Sequence, residues 1–293
     1  MSGNAEFDEK VMKPIFNIFK FGSITEDERF ALLGWNVVQD REGIVVSQQD
    51  YIDQKIEFMD IPTKGRGGQE RLNDEEKALF RAHVGKLRWC TDQTRLDIAF
   101  ETLLTSTAQS APTINDVRTI NKMVQQLKGL PVSLRFPVLE DVNTWFLTIF
   151  ADASLKNLPP DKTGSAMGYL IFLSSGFVSG ARNNCCILTW KSNKIKRVVK
   201  STHEAEALAV ADAVEEAYVI KQQLLEMMDV SDDMIKLEVF SDSQDAVASF
   251  NSSKQHHRGG RIQIDVARVR NLIEEGIIDN VSFIATGQQG SFD

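Results

Sequence analysis

Trp145-Phe146-Leu147-Thr148-Ile149-Phe150-Ala151 is followed at once by Asp152, and this stretch decides how the chain folds. Its nearly continuous apolar character fits a central strand covered on both faces, as in a sheet layered by helices. Working outward, further strands are expected at 166–173 and 185–191, with 196–200 extending the hairpin. A helix follows from Thr202 to Met227. Ile235-Lys236-Leu237-Glu238-Val239-Phe240 alternates as a strand and ends at Ser241-Asp242. A short helix from Asp245, a longer one from Arg261 to Glu275 and a strand at 281–285 complete the order β-β-β-α-β-α-α-β. The class is α/β, a mixed sheet flanked by helices.

Upstream the pattern changes. Ile15 to Phe19, Phe30 to Val38 and Ile44 to Ser47 read as short strands joined by turns. Thr63-Lys64-Gly65-Arg66-Gly67-Gly68 reads as a flexible basic linker and a first domain boundary. Residues 73–128 read as helices. Asn73 caps Asp74-Glu75-Glu76, whose acids suit a helix N-terminus. A second helix opens at Thr113 and stops at Gly129, with Pro131 beyond. With another boundary at 140–143, the regions are 1–62, 63–142 and 143–293.

At 42% hydrophobic and 25% charged residues, 293 residues can bury a real core. This composition excludes disordered, collagen-like and disulfide-stapled classes. No apolar run approaches the ~18 residues of a membrane span, the first residues resemble no signal peptide, and three cysteines suit a reducing compartment. The chain is therefore expected to be unsecreted and to lie outside the membrane. A net charge of −8 speaks against a nucleic-acid partner until its distribution is considered. Residues 151–200 carry eight Lys or Arg against two Asp, whereas 201–240 carry two Lys against ten acids.

Three carboxylates stand where open α/β sheets build their sites. Asp152 and Asp242 each follow an expected buried strand. Either alone would serve as an ordinary cap or turn residue. Glu206 is the third, in the first turns of the long helix. Its neighbour Glu204 has another task, since Ser201-x-x-Glu204 has the form of a capping box. Residues two apart on a helix diverge by about 200°, so the two glutamates cannot share a site. Hard oxygen ligands without a His or Cys cluster suit Mg²⁺ or Mn²⁺. Lys191 to Lys200 forms a basic strip, readable as a solvated hairpin edge or, beside three acids, as a track for phosphates.

These segments carry a family resemblance. Trp190-Lys191-Ser192 and Ser201-Thr202-His203-Glu204-Ala205-Glu206 resemble the "SWKS … SSTEAEY" signature of Ty1/copia-type retrotransposon RNase H domains. Phe150 to Ser154, Phe240 to Gln244 and Arg261 to Val266 resemble three further segments in the same order. Upstream, Phe19 to Gly34 and Ile44 to Ile52 are similar to the end of the reverse-transcriptase palm. Phe80 to Trp89 and Thr94-Arg95-Leu96-Asp97-Ile98 resemble the segment after it.

The resemblance implies a short β remnant of the palm at 1–62, a smaller and mostly helical thumb or connection region at 63–142, and an RNase H-like domain at 143–293, C-terminally truncated. It implies metal-dependent cleavage of the RNA strand of an RNA–DNA hybrid, with Asp152, Glu206 and Asp242 holding two Mg²⁺ or Mn²⁺ ions. Asp293 is the candidate for the family's fourth carboxylate, displaced from its usual spacing. Ser192, Asn193, Lys194, Lys196 and Arg197 are candidate contacts to the nucleic-acid backbone. His256 and His257 are candidate proton shuttles, with solvated loop residues as the plainer reading. The implied partners are the hybrid and the upstream polymerase portion of the same polyprotein, in a cytoplasmic virus-like particle or the nucleus. The polymerase Tyr-x-Asp-Asp turn does not occur, and Asp232-Asp233 reads as a turn, so this chain alone should not polymerise. The alternative is a weak or inactive nucleic-acid-binding module from a degenerate element.

Overall fold

The computed structural model describes residues 9–10, 13–18, 27–139, 144–158, 164–176, 184–252 and 260–285. Lys13–Ile18 is a helix, α1, so the strand expected at Ile15 to Phe19 does not form there. Strands β1 (Arg29–Leu32), β2 (Trp35–Asp40) and β3 (Gly43–Ser47) form an antiparallel meander. Helices α2 (Gln49–Lys55), α3 (Asp74–Gln93), α4 (Ala99–Thr107) and α5 (Ile114–Gly129) follow. Asn73 caps α3 as expected: its side chain accepts from Glu76 N while Glu76 returns a bond to Asn73 N, a complete capping box.

The first expected boundary does not divide this region. Strand β4 (Ser133–Pro137) returns to pair with β3, Ser47 opposite Ser133, and becomes the fourth strand of the meander sheet. Gly43 permits the approach: at φ +142° it lies where an added Cβ would stand 2.1 Å from Phe136 O. Ile52, Ile56, Met59 and Ile61 share one core with Phe80, Leu87, Ile98, Ile120 and Leu127, so chain from both sides of residue 62 is packed together. The glycine-rich stretch between them is an anchored turn. Arg66 donates to Glu70 (2.6 Å) and Glu76 (2.5 Å), and Asn115 N donates to Gly68 O (2.9 Å). The boundary expected at 140–143 lies outside the described residues.

The second unit follows the expected element order. Strands β5 (Trp145–Leu158), β6 (Gly164–Ser174), β7 (Cys185–Lys194), β8 (Ile235–Ser241) and β9 (Ile278–Phe283) form one mixed sheet in the order β7-β6-β5-β8-β9. Hairpin partners are antiparallel, whereas β8 and β9 join parallel after helical crossovers. The crossovers are α6 (Thr202–Met228), α7 (Gln244–Asn251) and α8 (Gly260–Glu274). Ala205, Ala207, Ala209, Ala211, Ala213 and Ala217 of α6 are all buried. Side chains this small let the helix lie close on Leu147, Ile149 and Ala151 of β5. Among the described residues no helix is long and apolar enough to cross a membrane.

Two local expectations change. Asp152 does not follow its strand but lies inside β5, paired with Gly168, because the β6 hairpin carries β5 on to Leu158. Residues 196–200 do not extend β7. After Ile195, whose N–H bonds Ser165 O, the chain leaves the sheet as a strap that buries Ile195 and Val199 against Ala205 and Leu208.

Candidate metal centre

The site stands where two parallel neighbours part company. β8 pairs with β5 only as far as Phe150 opposite Phe240, then ends at Ser241. β5 continues, so Asp152 and Asp242 lie side by side at the open end of that ladder. Alternation puts Asp152 on the face away from Ala151, hence away from α6. Glu206, from the second turn of α6, brings its carboxylate to the same place. The three carboxylates offer oxygens that all lie within 4.8 Å of one another.

Their environments differ. Asp152 is exposed, Asp242 is half-buried, and Glu206 is only 4% exposed. Glu206 Oε2 is buried without a hydrogen-bond partner. Burial first, then the charges of Asp152 and Asp242, push the Glu206 carboxyl up to about 8. Burial and Asp242 also raise Asp152 above the usual carboxylate range. The Ala153 N–H donates to both groups and partly opposes the rise. A buried carboxylate beside two others is costly unless cations neutralise it. An all-oxygen donor set with an unsatisfied buried oxygen fits a hard divalent cation.

Glu204 is turned away from this cluster, as its spacing predicts. Ser201 Oγ accepts from Glu204 N (3.1 Å), and Glu204 Oε2 accepts from Lys200 N (2.8 Å), one residue earlier than a full capping box requires. His203, one turn before Glu206, was not singled out by sequence pattern. Its Nε2 lies 3.2 Å from Ser249 Oγ on α7. The available signal was its i, i+3 spacing from Glu206.

The basic strip is split by the sheet. Ser192 lies opposite Gly168, which lies opposite Asp152, so it shares that row and face about 10 Å away, two strand spacings. Lys191 and Asn193 fall in the rows of Ala151 and Ala153, and Lys191 pairs with Glu216 of α6 at 3.8 Å. Lys191, Asn193, Lys194 and Lys196 line a cleft of about 830 Å³ between the sheet edge and helix α4. Arg88 of α3, with Ser106 and Thr107 of α4, supplies the facing wall, a contribution from the first unit that sequence spacing gave no means to see. Trp190 Nε1 donates to Thr91 O (2.9 Å) and fastens the two walls together. Arg197 also borders the cleft, but its guanidinium is paired with Asp265, which is 2% exposed. Its first task is structural, because a carboxylate so deeply buried needs its cation. His256, His257 and Asp293 lie outside the described residues.

The fold is a mixed five-stranded α/β sheet flanked by helices, carrying the acid cluster, joined to a helical unit with a four-stranded sheet of its own. The foamy viral protease–reverse transcriptase, solved in complex with an RNA/DNA hybrid, matches with a TM-score of 0.50 at 11% identity, covering 100% of this chain and 35% of that one. At that identity the likeness is one of fold. In sequence, the chain is 27% identical over 214 residues to the retrovirus-related Pol polyprotein from transposon RE1 of Arabidopsis thaliana. It is 26% identical over 211 residues to the corresponding polyprotein from transposon RE2 of the same plant. Each match covers 72% of this chain, which thus spans 13% of the length of these curated relatives. No family profile matches the chain.

Proposed function

We propose that the chain is the C-terminal reverse-transcriptase part of a Ty1/copia-type Pol polyprotein, and that its RNase H-like unit cuts the RNA strand of an RNA–DNA hybrid. Asp152, Glu206 and Asp242 hold Mg²⁺ or Mn²⁺. The observation that carries this reading is Glu206, a buried carboxylate with an unsatisfied oxygen facing two more acids. Ions bound there supply a more acidic water and neutralise charge that builds on the phosphodiester.

The chain's own residues do the rest. β5 and the end of β8 fix Asp152 and Asp242, while α6 fixes Glu206. Ser192, in the row of Asp152, contacts the backbone on the cutting side. Lys191, Lys194, Lys196 and Arg88 follow phosphates through the cleft beside α4. Such contacts set register without reading bases, and the 2′-hydroxyl with the A-like duplex shape marks the RNA strand.

The decisive experiment is incubation of purified protein with a labelled hybrid in Mg²⁺ or Mn²⁺, with duplex DNA as control. RNA-strand cleavage is expected, and Asp242→Asn should lower it about 1000-fold or more, roughly 4 kcal/mol of barrier. Binding without cleavage in either metal would leave the binding-module alternative. Replacing Lys194 and Lys196 together should flatten the salt dependence of hybrid binding by about 0.9 in log–log slope per lost contact. An unchanged slope would make the cleft a solvated edge.

A further inference from the structure

We propose that His203 is a positioning residue for the carboxylate cluster: through Ser249 it holds α6 and α7 at the spacing that lets Glu206 and Asp242 share a cation. The inference rests on the reading of those acids as a metal site. Asp242 is joined rigidly to α7, because the next residue, Ser243, is that helix's N-cap and accepts from Ala246 N (3.3 Å). Glu206 is fixed to α6. The distance between the two acids is therefore set by how the first turn of α6 is fastened to the short helix α7.

Ser249 is the fastening point. It is 8% exposed, and Arg270 of α8 donates to its carbonyl through Nε at 3.0 Å and Nη2 at 2.5 Å. Its hydroxyl donates to Asp245 O (2.8 Å). That uses the single hydroxyl proton, so at the 3.2 Å contact His203 Nε2–H is the donor and Ser249 Oγ the acceptor. A half-buried imidazole at i−3 from Glu206 thus ties the first turn of α6 to a helix pair already locked together. The fastening is needed because the acids it holds repel one another. The resembling signature has threonine at this position, whose short side chain has a different reach, so the arrangement belongs to this chain.

The test is Mn²⁺ binding to the full chain, followed by the electron paramagnetic resonance of free Mn²⁺, which needs no nuclease activity. His203→Ala is expected to weaken Mn²⁺ affinity about tenfold, the lower end for groups that support ligands from outside. Ser249→Ala should give the same loss, and the double variant no more than either single one, since all remove one bond. His203→Gln, whose amide nitrogen can donate from the position of Nε2, should bind within about threefold of the parent while matching His203→Ala in melting temperature. Parent-like affinity in His203→Ala overturns the proposal, as does a loss that Gln fails to restore. If the unaltered chain binds no Mn²⁺, the metal-site reading itself fails and this inference falls with it.

Discussion

Two buried charged side chains, one from each unit, are treated in opposite ways. In the helical unit Arg95 is fully buried, and its guanidinium is met on every side: Asp97 accepts two bonds of 2.8 Å and Leu127 O a third at 3.3 Å. In the α/β unit Glu206 is almost as deeply buried, but its nearest charges are two carboxylates and one of its oxygens is unsatisfied. The first arrangement is complete within the chain. The second is complete only with a cation from outside. Burial alone therefore says little about purpose; the sign of the surroundings separates a structural charge from a functional one.

Removing the cation of the complete pair should do the most harm to folding. Arg95→Ala empties a fully buried position and leaves Leu127 O without its donor, and is expected to cost about 3–5 kcal/mol in denaturant unfolding. A loss below about 1 kcal/mol would mean that the pair is worth no more than a surface bridge. Glu206→Gln should do the reverse. The folded carboxyl titrates near 8 against about 4.5 in the unfolded chain, so the folded state holds the extra proton between those values. The metal-free protein should therefore lose stability as pH rises from about 4.5 to 8. In chelator at pH 8, Glu206→Gln should gain about 2 kcal/mol, less than the full shift because a buried amide keeps a desolvation cost. A flat pH profile for the parent chain would break the comparison. Glu204→Gln, two residues away, should change both stability and cleavage by less than about 0.5 kcal/mol, since glutamine can still accept from Lys200 N. If that variant is the inactive one, the wrong side of the helix has been assigned to chemistry.

Much of the α/β unit was legible in the sequence because its signals are local. The apolar run before Asp152, the cap at Ser201 and the alternation of 235–240 each declare an element within a few residues. Glu206 and Asp242 fall where those elements put them, whereas Asp152 lies inside β5 rather than beyond its end. What escaped depends on partners far along the chain. β4 is a weak strand by composition, with Pro137 at its end, and exists because β3 offers it an edge. The strap 195–200 looks like more hairpin until Ile195 and Val199 find α6. Arg197 reads as a free phosphate contact because nothing local reveals that Asp265 awaits it. Arg88 belongs to the cleft only through the packing of one unit on the other.

The pairing of β3 with β4 has a consequence for how the chain is made. Ser47 must wait for Ser133 before the sheet gains its last strand. At about 5–20 residues per second, that wait is several seconds of translation, during which Gly43-Ile44-Val45-Val46-Ser47 presents an uncovered β edge. The meander cannot mature as an early, self-sufficient module on the ribosome, and its nascent state is the stage at which this protein is most exposed to intermolecular strand capture. Chaperone dependence, if measured on stalled chains, should peak before residue 133 emerges and fall once 137 is clear.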